Sequence, residues 1–447
     1  MRIEAAAFWG ALLFLGACAK APVEESFQPL VLTASLEGDA AVKTTLDGTD
    51  HKTVRWSAGD QVAAFVSDVK HTSSSMVILD GTNSKSASFT FSDLAADAEV
   101  SYAVYPASAA VERYGESVTI EVPTVQTAVA EGFDPNAAVT VAKGGESPVI
   151  FKNVCAYLAF TIKGEDAASV SSVRILADQP MTGTADVYWT EGNPTVDFSR
   201  SISAYTGVEL KGPFESGKTY YVAVYPNNYT GLTFKLTHTT GYVSTYTSST
   251  GLDVARKDNK VVAKNMALRT PAGWFEKDPA FIASGTSVII AGKVNGVFKA
   301  IDNTISDDGN TPPKYTDQRS GAGSVSVSGS TLTPQDNYKW MVTFDAGHNF
   351  TLHPAGKEAY IYFANTYSEA GQNGLWYGDE YPSYYSRINY TTDNLGHIMT
   401  NDAYTTRYLG FKDGVNSNCW YGESFPEFRL DAGKFPAAIC SFYVQVP

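Results

Sequence analysis

Histidine and cysteine are scarce in this 447-residue chain, at six and four copies, and that scarcity removes most of the chemistry a motif can announce. His51, His71, His238, His348, His353 and His397 form no HExxH pair. The interval from His348 to His353 puts those two on opposite faces of a straight strand, so no zinc site is expected. Gly-x-Ser-x-Gly is absent, and "SGAGSVS" (320–326) lacks the third glycine and the following helix of a nucleotide loop. "AIDNTISDDGN" (300–310) misses the alternating oxygen spacing of a calcium loop and reads as a solvated turn. A glycosidase carboxylate pair leaves no spacing signal, so hydrolysis stays a distant third reading. The expectation is a chain that is not an enzyme and needs no cofactor and no metal.

Basic charge is also short. Lys and Arg number 33 against 47 Asp and Glu, a formal net charge of −14, which argues against nucleic acid as a partner because phosphates demand a basic face. After the N-terminus no segment reaches the ~18 consecutive apolar residues of a membrane helix, and no long stretch carries a 3.6-residue apolar period. What is plentiful is aromatic: 26 Tyr and 23 Phe, with Val, Thr and Ser, lean towards β-structure. With 44% hydrophobic residues there is material for real cores, and a chain of this length divides into two to four domains.

The one sustained apolar run is at the start. Arg2 gives a minimal positive region, and Ala5 to Ala17 is of signal-peptide length, too short to span a bilayer. It closes on Leu15-Gly16-Ala17-Cys18, which resembles the lipobox of bacterial lipoproteins. That resemblance implies a signal peptide over 1–17, cleavage before Cys18 and lipid attachment there, hence an outer-membrane anchor. Residues 18–28, with Pro22, Glu24 and Glu25, then read as an acidic tether. Of the other thiols, Cys155 sits in the apolar run "FKNVCAYLAFTI" and reads as a buried free thiol. Cys419 and Cys440 are a possible disulfide that sequence alone does not establish.

Beyond the tether, short strands alternate with Gly, Asn, Asp and Pro. "LVLTASLEG" (30–38) is a first strand, and "TVRWSAGDQVAAFVSD" turns at Ser57-Ala58-Gly59-Asp60. Such spacing points to β-sandwiches rather than parallel βαβ units. "AEVSYAVYPAS" and "KTYYVAVYPNN" echo one another, matching Tyr105-Pro106 with Tyr225-Pro226. The echo suggests two related modules, 29–145 and 146–268. "VKTTLDGTD", "VRWSAGDQVAAF", "YAVYP", "PTVQTAVAEGFDP", "VIFKNVCAYLAFTIKG" and "YVAVYPNN", in that order, resemble the fimbrillin-like proteins of Bacteroidota over roughly residues 30–268. The resemblance implies an all-β chain of two tandem transthyretin-like Greek-key sandwiches, building or capping surface pili. It further implies removal of the first strand by an arginine-directed protease. A strand from the next subunit would then fill the opened groove by donor-strand exchange, pairing with its bare backbone edges. Arg55 is the candidate cut, with Lys43 and Lys52 as rival basic positions, and an uncut hairpin residue is the alternative.

"LRTPAGWFEKDP" reads as a linker (269–279) into a third, mostly-β domain (280–447). There "GTSVIIAGKVNGVFKAI" is a hairpin about Asn295-Gly296, and "AAICSFYVQVP" is a final strand, paired at home or donated to a neighbour. "GLWYGDEYPSYYSRINY" and "NCWYGESFPEF" look like loops dense in aromatics. Trp376, Tyr377, Tyr384, Tyr385, Trp420 and Tyr421 are the candidate ligand-binding residues, either stacking on glycan rings or packing as a satellite core. Two functions follow. One is an adhesive pilus tip or accessory subunit whose partners are other fimbrial subunits or surface proteins. The other is a stand-alone glycan-binding lipoprotein of the outer membrane.

Overall fold

The computed structural model describes residues 27–37, 56–81, 85–201, 204–292, 297–303, 324–344, 350–354 and 441–447 with their side chains. It gives backbone alone for 293–294, 318–319, 322–323, 349, 360–363, 375–378, 388–390, 398–401, 406–412, 419–424 and 440. The fold is all-β, and among the described residues the longest helical piece is the five-residue turn Glu165–Ser169.

Alternation makes the first sheet. In Ser86–Ala95 (SASFTFSDLA), Ala87, Phe89 and Phe91 are fully buried while Ser88, Thr90 and Ser92 are not, the period of two that a pleated strand imposes. The sheet runs Val69–Thr72, Ala63–Val66, Val100–Tyr105, Thr140–Lys143, Val149–Asn153, Pro29–Leu36, Ser86–Ala95, Ser75–Ile78. Its core gathers Leu30, Ala34, Leu36, Trp56, Phe89, Phe91, Tyr105 and Phe151. Val100–Tyr105 breaks the alternation because both of its faces are covered. Ala103 and Tyr105 join that core, whereas Tyr102 and Val104 join a second one with Val118, Ile120, Tyr157 and Val187.

The second core is shared between the two modules. Ser117–Val122 pairs with Thr182–Thr190, setting Val118 opposite Val187, and Val125–Thr127 runs parallel to Gly207–Lys211. Beyond it, Ala156–Ile162 lies between Thr219–Val224 and Asn259–Met266. A third core fills the space to the sheet of Val243–Thr247, Thr233–His238, Val170–Leu176 and Gly207–Lys211. The echoing tyrosines have parallel roles, both buried with a bonded hydroxyl: Tyr105 donates to Asp60 (3.1 Å) and Tyr225 to the Gly183 carbonyl (2.8 Å).

Two boundaries differ from the sequence reading. Val149–Asn153 completes the first sheet, antiparallel to Thr140–Lys143 and parallel to Pro29–Leu36, so the first module extends to Asn153 rather than 145. The expected linker also holds a strand. Trp274–Lys277 pairs with Cys440–Gln445 and with Thr331–Leu332, and Trp274, Phe275, Glu276 and Asp278 are all buried. The third unit therefore begins inside 269–279. Its large sheet continues from Cys440–Gln445 to Thr286–Val294, Trp340–Phe344 and Asn349–Pro354, and on to Cys419–Ser424. The hairpin of Thr286–Val294 with Val297–Ile301 forms as the sequence suggests.

Candidate functional site

The first strand occupies an interior slot. Pro29–Leu36 runs antiparallel to Ser86–Ala95, with Leu32 opposite Phe89 and Ala34 opposite Ala87. On its other side it runs parallel to Val149–Asn153, with Ala34 opposite Val149 and Leu36 opposite Phe151. Leu30, Ala34 and Leu36 point inward and are buried, while Val31 on the alternate face is 55% exposed. Beneath them Trp56 packs edge-on against Phe89, Tyr105 and Phe151, at centroid distances of 5.0, 5.2 and 5.5 Å. Phe89 and Phe151 belong to the two strands that flank the slot, so Trp56 forms its floor.

A charged cluster closes the far end. Just past the strand, the Glu37 amide donates to the Phe151 carbonyl (3.0 Å). The Glu37 carboxylate, 8% exposed, accepts from Arg256 (2.8 Å) and Lys257 (3.0 Å). It also accepts the amide N–H of fully buried Asn153 at 2.8 Å. Arg256 and Lys257 precede Asn259–Met266 of the second module, so the first strand reaches across to it. Charge-assisted bonds of this kind are stronger than neutral ones.

A second polar joint links the second module to the third unit. Lys235 Nζ contacts Glu276 at 2.6 Å and donates to Ser441 at 2.8 Å. The other Glu276 oxygen accepts from Thr245 Oγ1 (2.7 Å), and the Thr245 amide donates to Ser330 Oγ (2.7 Å). Arg174 lies between Glu209 (3.5 Å) and Asp278 (3.1 Å), all three nearly sealed from solvent. Nothing in the local sequence pattern pairs these residues; they meet only through the sheet topology.

Cys155 is a buried free thiol, pushed up to about 12 by burial, as its apolar surroundings suggest. Cys18, Arg55, Tyr384 and Tyr385, and the rival basic positions Lys43 and Lys52, lie outside the described residues. Trp376 and Tyr377 fall on the strand Leu375–Gly378, paired with Tyr360–Phe363 and Gln318–Arg319. Trp420 and Tyr421 fall on Cys419–Ser424, paired with Thr406–Lys412. Within the two aromatic stretches expected as loops, these described segments are strands, and their backbones approach one another. Cys419 and Cys440 sit on strands separated by several others in the sheet order, with their side chains outside the description. Among the described residues no group of three or more His, Cys, Asp or Glu could hold a metal ion, and no helix is long and apolar enough to cross a membrane.

No family model matches the chain, and no curated protein matches it. Solved structures give distant likenesses. A protein of Bacteroides uniformis, provisionally described as a cell adhesion protein, is 16% identical with a TM-score of 0.30, over 51% of this chain and 90% of that one. A Bacteroides ovatus protein described in the same way is 10% identical with a TM-score of 0.30, over 52% and 89%. The C-terminally truncated tip fimbrial protein Mfa3 of Porphyromonas gingivalis is 11% identical with a TM-score of 0.22, over 49% and 81%. Scores this low carry no functional argument.

Proposed function

We propose that the chain is a cell-surface adhesion protein of the fimbrillin-like class, acting as a pilus tip or accessory subunit and held at the outer membrane by lipid on Cys18. In this reading the slot of Pro29–Leu36 accepts a strand from another subunit after cleavage near Arg55, and the chain carries no catalysis. One observation carries the choice of tip over shaft. The last strand, Cys440–Gln445, is clasped between Trp274–Lys277 and Thr286–Val294 of its own unit, with Phe442, Tyr443 and Val444 buried. A strand so enclosed at home is not offered for donation, whereas the first strand, equally enclosed, is the one that cleavage would release, leaving a slot that another extended segment can fill. Such a chain accepts without giving, which suits the end of a polymer.

The approach of Leu375–Gly378 to Cys419–Ser424 favours a second reading, glycan recognition by the third unit, because it brings Trp376-Tyr377 and Trp420-Tyr421 into one region. N-terminal sequencing and lipid analysis of the mature surface protein test the first proposal. A start after residue 36 with oligomers that resist mild denaturation supports strand acceptance. A start at acylated Cys18 in a monomer, with sugar affinity lost on Trp376→Ala or Trp420→Ala, supports the glycan binder instead.

A further inference from the structure

We propose that the slot selects its occupant by charge: it takes an extended segment whose last inward apolar residue is followed at once by a carboxylate. This rests on the acceptor reading above. The observation behind it is how the Glu37 cluster is divided. The carboxylate belongs to the strand, while its partners belong to the slot. Arg256 also has partners outside the strand, donating to the Asn153 carbonyl (2.9 Å) and to Asn193 Oδ1 (3.1 Å). Lys257 is fixed by its backbone, at φ +69° with its amide on the Cys155 carbonyl (2.9 Å). A non-glycine residue keeps that conformation only where its surroundings impose it.

When Pro29–Leu36 leaves, Glu37 leaves with it. Two partly buried cations, Arg256 still bonded to Asn153 and Asn193, then remain at the end of an apolar groove, and their charge-assisted bonds to the carboxylate are lost. A replacement that restores the carboxylate recovers three contacts, and one ending in an amide or a lysine does not. The rest of the occupant follows from the register. It runs parallel to Val149–Asn153, with apolar residues at the places of Leu30 and Leu36. At the place of Ala34, which is fully buried opposite Ala87 and Val149, it carries nothing larger than alanine. The partner is thus a subunit with an extended, alternating segment that ends in Glu or Asp.

The test uses the full chain with a specific protease site placed between residues 38 and 55. After nicking, the chain is offered labelled, C-terminally amidated peptides PLVLTASLE, PLVLTASLQ and PLVLTASLK. The expected result is that the Glu peptide binds about 10- to 100-fold more tightly than the Gln peptide, with the Lys peptide weakest. A chain carrying Arg256→Glu and Lys257→Glu reverses the order of Glu and Lys peptides. Should that variant fail to fold, the comparison on the unaltered slot decides alone. Equal affinity of the Glu and Gln peptides overturns charge selection and leaves the acceptor slot standing. Binding of none of the three overturns both.

Discussion

Replacing Lys235 with methionine tests whether the third unit is fixed to the second module or merely adjacent to it. Methionine keeps much of the volume and removes the charge, leaving Glu276 with Thr245 as its one remaining side-chain partner among the described residues. The Glu276 side chain is 5% exposed, so water does not replace the lost cation. Breaking one side of a buried ion pair costs about 3–5 kcal/mol, most of it the penalty of the charge left behind. Because the pair ties the second module to the first strand of the third unit, the loss falls on local opening of that joint. Native-state hydrogen exchange reads it directly at the amides of Trp274–Lys277 and Cys440–Gln445. With tenfold for every 1.4 kcal/mol, exchange there accelerates roughly a hundredfold to several thousandfold, while Ser86–Ala95 in the first sheet is unchanged. The companion Lys235→Met/Glu276→Leu removes both charges and restores most of the protection, since a buried pair replaced by apolar residues is often neutral. Protection within about twofold of the parent in Lys235→Met refutes the argument, as does a double variant no better than the single one.

Two further outcomes follow from the same geometry. Gly144→Ala places a Cβ 1.6 Å from the Val100 carbonyl oxygen, backbone that cannot give way without separating Val100–Tyr105 from Thr140–Lys143; denaturant unfolding of the first module shows a loss of at least about 2 kcal/mol, and a loss under about 0.5 kcal/mol contradicts the close approach. Cys155, buried and with its thiol pushed up to about 12, holds almost no thiolate at pH 8; it resists alkylation in the native protein and reacts on unfolding, and ready native labelling contradicts the burial.

The strands were legible wherever one face meets solvent. "SASFTFSDLA" spells its own alternation, and the Tyr-Pro echo marks two tyrosines with matching buried roles. Legibility failed where a long run is mostly apolar. "VIFKNVCAYLAFTI" reads as one continuous segment, yet Val149–Asn153 closes the first sheet and Ala156–Ile162 opens the second module. Asn153 alone marks the change, its side chain accepting the Cys155 amide (2.9 Å), and with no Gly or Pro the chain passes directly from one core to the next. The supposed linker failed for the opposite reason. Glu276, Asp278 and two prolines make 269–279 look solvated, but the acids are buried against Lys235 and Arg174, contributed by strands about 40 and 100 residues earlier. The Glu37 cluster was equally hidden: the carboxylate lies more than 200 residues from its two cations in sequence, and the pairing of Pro29–Leu36 with Val149–Asn153 brings it to them.

The energetics of that first strand explain why an ion cluster at its end matters. Burying Leu30 and Leu36 is worth about 2 kcal/mol each, and Ala34 adds little. Fixing a residue of extended chain costs about 1–2 kcal/mol, so the apolar contacts alone do not hold eight residues in place. Ladder hydrogen bonds, worth about 1 kcal/mol each net, bring the sum close to balance, and almost any alternating segment supplies them. What distinguishes one occupant from another is therefore concentrated where the strand meets charge. Both walls survive the strand's departure, because Val149–Asn153 still pairs with Thr140–Lys143 and Ser86–Ala95 with Ser75–Ile78. The last strand likewise lies between walls with other partners, Trp274–Lys277 with Thr331–Leu332 and Thr286–Val294 with Trp340–Phe344. What differs between the two strands is their polar anchor: the first is followed by a carboxylate held by two cations of the second module, and the last offers a neutral hydroxyl to a lysine that Glu276 already holds.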